Sequence, residues 1–126
     1  GVCGNTCDFR AADTQNFTAL LAEFRSQLTT LGATTHKTYQ LSIASSASPD
    51  TFAKLELTKI PTYLDHINVM SYDLHGAFES QTNFNAPLMP SAADPAYTKH
   101  LTQSEAMQGY IKGGVPAAKL VMGTPF

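Results

Sequence analysis

The 126-residue chain has no tryptophan, only two cysteines and few charges, with eight Lys and Arg against ten Asp and Glu for a net charge of -2. Each scarcity excludes something. Without tryptophan, any aromatic surface offered to a ligand has to come from phenylalanine or tyrosine. The basic residues are scattered, with no patch or stripe to meet a phosphate backbone, so nucleic acid is not expected as a partner. No apolar run approaches the ~20 residues that a helix needs to cross a bilayer, and a membrane is not expected either. Cys3 and Cys7 in "GVCGNTCDF" are too few for a disulfide framework and lack the second ligand pair of a zinc site. Their C-x-x-x-C spacing is also not the C-x-x-C of redox catalysts. A small local disulfide is the expectation, with two reduced loop thiols as the alternative.

The sequence otherwise reads as at most one ordinary globular domain, 43% apolar. In "DTQNFTALLAEFRSQLTTLG", Phe17, Leu20, Leu21, Phe24, Leu28 and Leu31 recur at helical spacing, which predicts an amphipathic helix. Asp13 or Thr14 is placed to cap it and Gly32 to stop it. "TYQLSIAS" alternates Tyr39, Leu41 and Ile43 with Gln40, Ser42 and Ala44, the period of a strand. Ser48-Pro49-Asp50 opens a short or broken helix whose apolar positions are Phe52, Leu55, Ile60 and Leu64, interrupted at Pro61. "HINVMSYD" is a second strand, with Ile67 and Val69 on one face and Asn68, Met70 and Tyr72 on the other.

From Leu74 to Leu101 the periodicity vanishes into text rich in Asn, Pro, Ser and Gly, and a loop of that length in a compact domain is usually functional. A capping box, Thr102-x-x-Glu105, then opens a helix carrying Ala106, Met107, Tyr110 and Ile111, which Gly113-Gly114 ends. "AKLVMGTPF" is a third strand. Helices alternating with strands imply βα units and a parallel sheet. In an α/β barrel the loops after the strands form the active-site face, so the polar cluster after Tyr72 is well placed for chemistry. Three strands do not close a barrel, which takes about 250 residues; the expected fold class is α/β, a portion of a TIM (β/α)8 barrel with about three parallel strands and intervening helices.

"INVMSYDLHGAF", "NFNAPL" and "GYIKGGVPAAKLVMGTPF" together resemble the second half of the catalytic barrel of family 18 glycoside hydrolases, the chitinases. The resemblance covers essentially the whole chain. The family's Met-x-Tyr-Asp motif falls on Met70, Ser71, Tyr72 and Asp73, and the start of its Gly-x-Pro-Phe/Tyr-Gly-Arg strand on Gly123 to Phe126. "YQLSIAS" is similar to the fifth barrel strand, "INVMSYD" to the sixth and "KLVMGTPF" to the seventh. The family's Asp-x-x-Asp-x-Asp-x-Glu signature would stand just before Gly1, so the resemblance implies a partial domain over residues 1–126 whose general-acid Glu lies upstream.

By the same resemblance the parent enzyme cleaves β-1,4 bonds between N-acetylglucosamine units with retention, the substrate's acetamido oxygen acting as nucleophile. Tyr72 and Asp73 carry over as catalytic residues: Tyr72 donates to the acetamido group, and Asp73 holds the distorted sugar near the developing cation. Met70 carries over as an apolar floor, and Phe78, where family members commonly have Trp, as a substrate-binding aromatic. No metal or cofactor is implied, chitin or its oligosaccharides are the partner, and an insoluble extracellular substrate implies a secreted parent. Two relatives of this scaffold are alternatives: a chitin-binding lectin without the acid, and an endo-β-N-acetylglucosaminidase. His75 is read as a structural hydrogen-bonder, Asp65-His66 as structural at the far end of the strand, Glu105 as part of the capping box and Glu79 as a loop carboxylate without a partner.

Overall fold

The structure is a computed structural model that describes Cys3 and residues 6–126. Three strands, β1 (Ser42–Ser46), β2 (His66–Met70) and β3 (Leu120–Met122), form one parallel sheet in the order β1-β2-β3. Sequential order is what a barrel wall requires, whereas a doubly wound sheet reverses direction at a switch point. Register sets Ile43 beside Ile67 and Ile67 beside Leu120, so the odd-numbered residues of β2 share a face with these apolar neighbours. Ile67 and Val69 on that face are buried, each contributing on the order of 1.5–3 kcal/mol. The other face carries Asn68, Met70 and Val121, and all three are exposed. No helix among the described residues is long and apolar enough to cross a membrane.

Helix α1 (Asp13–Thr35) runs three residues past the expected stop at Gly32. The terminator is His36, in the left-handed region at φ 55°, and Gly32 O accepts from both the His36 and Lys37 N–H groups. Gly32 is needed for a different reason: a Cβ there would stand 2.5 Å from Lys37 O, where the chain doubles back. No side chain caps the N-terminus. Asp13 instead accepts from the Arg10 N–H and Nε–H, and Thr14 donates to Lys54 O. The apolar stripe is also only partly covered, since Leu21 is buried and Phe17 packs on the core while Leu20, Phe24 and Leu31 are about half exposed.

All three predicted strands are longer than the observed ones. Tyr39 and Leu41 precede β1, and Ser71, Tyr72 and Asp73 follow β2. Pro49 opens α2 (Pro49–Phe52) as expected, but this helix is a single turn, followed by a 3-10 turn at Ile60–Thr62 with Pro61 buried. Asp65 is structural, accepting from the Leu41 N–H at 2.7 Å and pairing with Arg25 Nη2, while Arg25 also donates to Tyr63 O and Tyr39 O. At the other side Lys119 Nζ donates to Pro61 O and Leu64 O, tying the approach to β3 onto the approach to β2.

The capping box holds in altered form. Thr102 Oγ1 accepts from the Glu105 N–H, but it donates to Glu105 Oε2, so the two side chains bond each other as they open α3 (Gln103–Lys112). Such a cap is worth about 1 kcal/mol. Ala106 and Tyr110 face inward; the Tyr110 ring packs tilted against Phe52, centroids 4.7 Å apart, and its hydroxyl donates to Ser46 O and bonds Ser45 Oγ. Ile111 stays half exposed. Gly113 closes the helix, and Gly114, at φ 104°, turns the chain toward β3. Cys3 and Cys7 form the local disulfide expected of them.

Candidate active site

The residues that follow β2 are placed by two neighbouring loops. Beyond Met70 the chain leaves the strand path at once, because the Ser71 N–H donates back to Val69 O at 2.9 Å. The Gly123 N–H donates to the same carbonyl at 2.9 Å, so the ends of β2 and β3 stay together after regular pairing stops. A Cβ on Gly123 would lie 2.6 Å from Tyr72 Cε1 and 2.7 Å from Val69 O. The missing side chain therefore makes the space in which the Tyr72 ring lies across the end of β3. Met70 and Tyr72 remain 39% and 36% exposed, on the open side of the sheet end.

Asp73 has φ 52°, a left-handed conformation that only Gly adopts freely and that Asp and Asn tolerate best among the rest. Asn85, twelve residues on, holds it there. Asn85 Oδ1 accepts from the Asp73 N–H at 3.2 Å, Asn85 Nδ2 donates to Asp73 Oδ1 at 2.7 Å, and the Leu74 N–H donates to Asn85 O at 2.8 Å. Among the described residues Asp73 Oδ2 has no hydrogen bond to another side chain or backbone group, and Asp73 is exposed. One oxygen of the carboxylate is held by the Asn85 amide, and the residue as a whole is open to solvent.

Below them lies a buried polar seam. Ser71 is fully buried and donates its hydroxyl to Gly123 O at 2.9 Å. Gln103, also buried, directs Nε2 at Ser71 O and Gly123 O, each at 3.1 Å. A buried amide left without these acceptors would cost about 1–3 kcal/mol, so the first turn of α3 is fixed to both strand ends. Neither Asn85 nor Gln103 was assigned a role from sequence. Gln103 had a readable signal, being a polar residue on the same helical face as Ala106 and Tyr110. Asn85 had none beyond lying in "NFNAPL", because its partner is set by how a long loop closes.

His75 is a structural hydrogen-bonder, as expected: its buried ring donates from Nδ1 to Glu79 Oε2 at 2.7 Å. Glu79 is not the partnerless carboxylate expected of it. The His75 hydrogen bond, and after it that of Lys99, hold its carboxyl below the usual carboxylate range. Phe78 packs over Gly76 and is 73% exposed. It lines a hollow of about 320 Å³ with Glu79, Ser80, Gln81, Asn83, Pro95, Ala96 and Lys99, in which Met70, Tyr72 and Asp73 take no part. A wider open groove of about 890 Å³ runs past Asn85, Pro87, Leu88, Met89 and Pro125. The structure thus brings Met70, Tyr72 and Asp73 together at one strand end and sets Phe78 apart on the loop. Among the described residues no group of three His, Cys, Asp or Glu side chains converges as a metal site would require.

Sequential parallel strands, with a phenol and a carboxylate gathered where the middle strand ends, define a segment of a (β/α)8 barrel with its chemistry on the loop face. The model of the glycosyl hydrolases family 18 matches residues 4–126, and the chain belongs to that family. Chitinase A1 from Niallia circulans is 42% identical over 130 residues, covering 100% of this chain and 18% of that protein. Chitinase ChiA74 from Bacillus thuringiensis has a TM-score of 0.91 at 43% identity, over 95% of this chain and 19% of that one. The Group IV chitinase from Ostrinia furnacalis, solved in complex with allosamidin, has a TM-score of 0.83 at 32% identity, over 98% of this chain and 32% of that one. The chain spans between 18% and 32% of the length of these relatives.

Proposed function

We propose that residues 1–126 are part of the catalytic barrel of a chitinase and supply the tyrosine–aspartate wall of its sugar site. The observation that carries this reading is the pairing of Tyr72 with Asp73 at the loop end of β2, in a family whose solved members include a chitinase bound to allosamidin. Hydrolysis is retaining and substrate-assisted: the acetamido oxygen of the bound sugar attacks its own anomeric carbon, and a Glu upstream of Gly1 protonates the leaving oxygen. The Tyr72 hydroxyl donates to the acetamido group where charge develops, and the Asp73 oxygen that Asn85 does not hold serves the forming oxazolinium ion. Met70 lies under the ring as an apolar floor. Phe78 offers its exposed face to a sugar farther along the cleft.

The substrate is then chitin or its oligosaccharides, and the parent acts outside the cell, where a disulfide such as Cys3–Cys7 persists. The test is Asp73→Asn in the full-length enzyme. Its kcat on chitin oligosaccharides is expected to fall on the order of a hundredfold, with the melting temperature unchanged because the carboxylate is exposed. A variant with the kcat of the unaltered enzyme would end the reading of Asp73 as a catalytic residue.

A further inference from the structure

We infer that Asn85 is a positioning residue, whose side-chain amide fixes the backbone and the carboxylate of Asp73 in the geometry that catalysis uses. The inference rests on the reading of Asp73 given above and adds to it the group through which that residue is held. Asp73 sits at φ 52°, a conformation costing an L-residue of order 1 kcal/mol or more unless its surroundings impose it. The imposing contacts all come from Asn85. Its amide oxygen accepts from the Asp73 N–H and its amide nitrogen donates to Asp73 Oδ1, while its backbone oxygen takes the Leu74 N–H.

The two side-chain bonds run in opposite directions, which selects an amide. A carboxylate at position 85 could still accept the N–H but would set negative charge 2.7 Å from Asp73 Oδ1. An alanine would make neither bond. The clamp also restricts what it leaves free: with Oδ1 bonded to the Asn85 amide and the Asp73 N–H bonded to the same side chain, rotation of the carboxylate is limited. Because Asn85 and Asp73 are both exposed, their bonds add little to overall stability, and their effect falls on geometry.

The experiment compares Asn85→Ala, Asn85→Asp, Asp73→Asn and the Asp73→Asn/Asn85→Ala double variant in the full-length enzyme. Asn85→Ala is expected to lower kcat roughly ten- to hundredfold, with KM and melting temperature nearly unchanged. In the double variant the loss should not exceed that of Asp73→Asn alone, since Asn85 acts through Asp73. Asn85→Asp, isosteric and at an exposed position, keeps an acceptor for the Asp73 N–H but sets like charge against Asp73 Oδ1, and should lower kcat at least as far as Asn85→Ala does.

A purely structural asparagine would move none of these but the melting temperature. If Asp73→Asn is impaired while both Asn85 variants match the parent in kcat, the clamp is refuted and the role of Asp73 stands. If Asp73→Asn itself is fully active, the reading of Asp73 fails and the clamp with it. Losses that multiply in the double variant would show Asn85 acting elsewhere and would also refute the proposal. Should Asn85→Ala fail to fold, the kcat of Asn85→Asp, alone and combined with Asp73→Asn, decides the matter by the same comparison.

Discussion

A methyl group at position 123 would fall on the Tyr72 ring and on Val69 O, at 2.6 and 2.7 Å. Neither obstacle yields cheaply, since one is a strand carbonyl and the other an aromatic ring packed over the strand end. Gly123→Ala in the full-length enzyme should therefore displace Tyr72 and lower kcat roughly ten- to hundredfold. Steady-state kinetics with a parallel melting curve check this, and an unchanged kcat would mean that the placement of Tyr72 does not matter. At this scale the sequence was informative about identities and poor about partners. Tyr72, Asp73 and Met70 stand out through the Met-x-Tyr-Asp motif that the sequence shares with the family, more than through their place after an apolar strand. Asn85 did not, because a loop asparagine looks the same whether it caps nothing or clamps a carboxylate across twelve residues.

Elements were legible where periodicity was strong, and their ends were not. Gly32 looked like a helix stop because glycine is the usual left-handed terminator, yet His36 takes that conformation and Gly32 makes room for the returning backbone. Likewise the alternation in "TYQLSIAS" begins before β1 does, because pairing starts only where β2 is present to receive it. Asp65 stands at this junction, between α1, the approach to β1 and the start of β2. The Leu41 N–H, and after it Arg25, hold its carboxyl below the ordinary range. A carboxyl depressed on folding contributes stability that is full above its unfolded pKa, about 4, and is lost as pH falls through the lower folded value. Asp65→Asn should thus flatten the acid side of the profile of melting temperature against pH and lower the plateau near neutrality. A profile that still falls as steeply in acid would assign that loss to other carboxyls.

For the whole molecule, the sheet is covered on one face only. Ile67 and Val69 are buried beneath the helices while Met70, Tyr72 and Val121 are exposed on the other side, and Leu20, Phe24 and Leu31 of α1 lack cover as well. Parallel sheets are ordinarily buried on both faces. The 126-residue chain on its own is therefore expected to melt broadly and to release no product from a chromogenic di-N-acetylchitobioside. A sharp, cooperative transition or measurable turnover by the purified chain would contradict this. Alternation of helix and strand made the parallel sheet legible from sequence, whereas the seam under Gln103 depends on three segments meeting and left no periodic trace. Gly123, an acceptor in that seam, also limits how the sheet can assemble. If β3 slid one residue along β2, Met122 or Thr124 would take the place of Gly123, and its Cβ would fall on the Tyr72 ring and on Val69 O. The absence of one side chain thus proofreads the register of the sheet end that carries Tyr72 and Asp73.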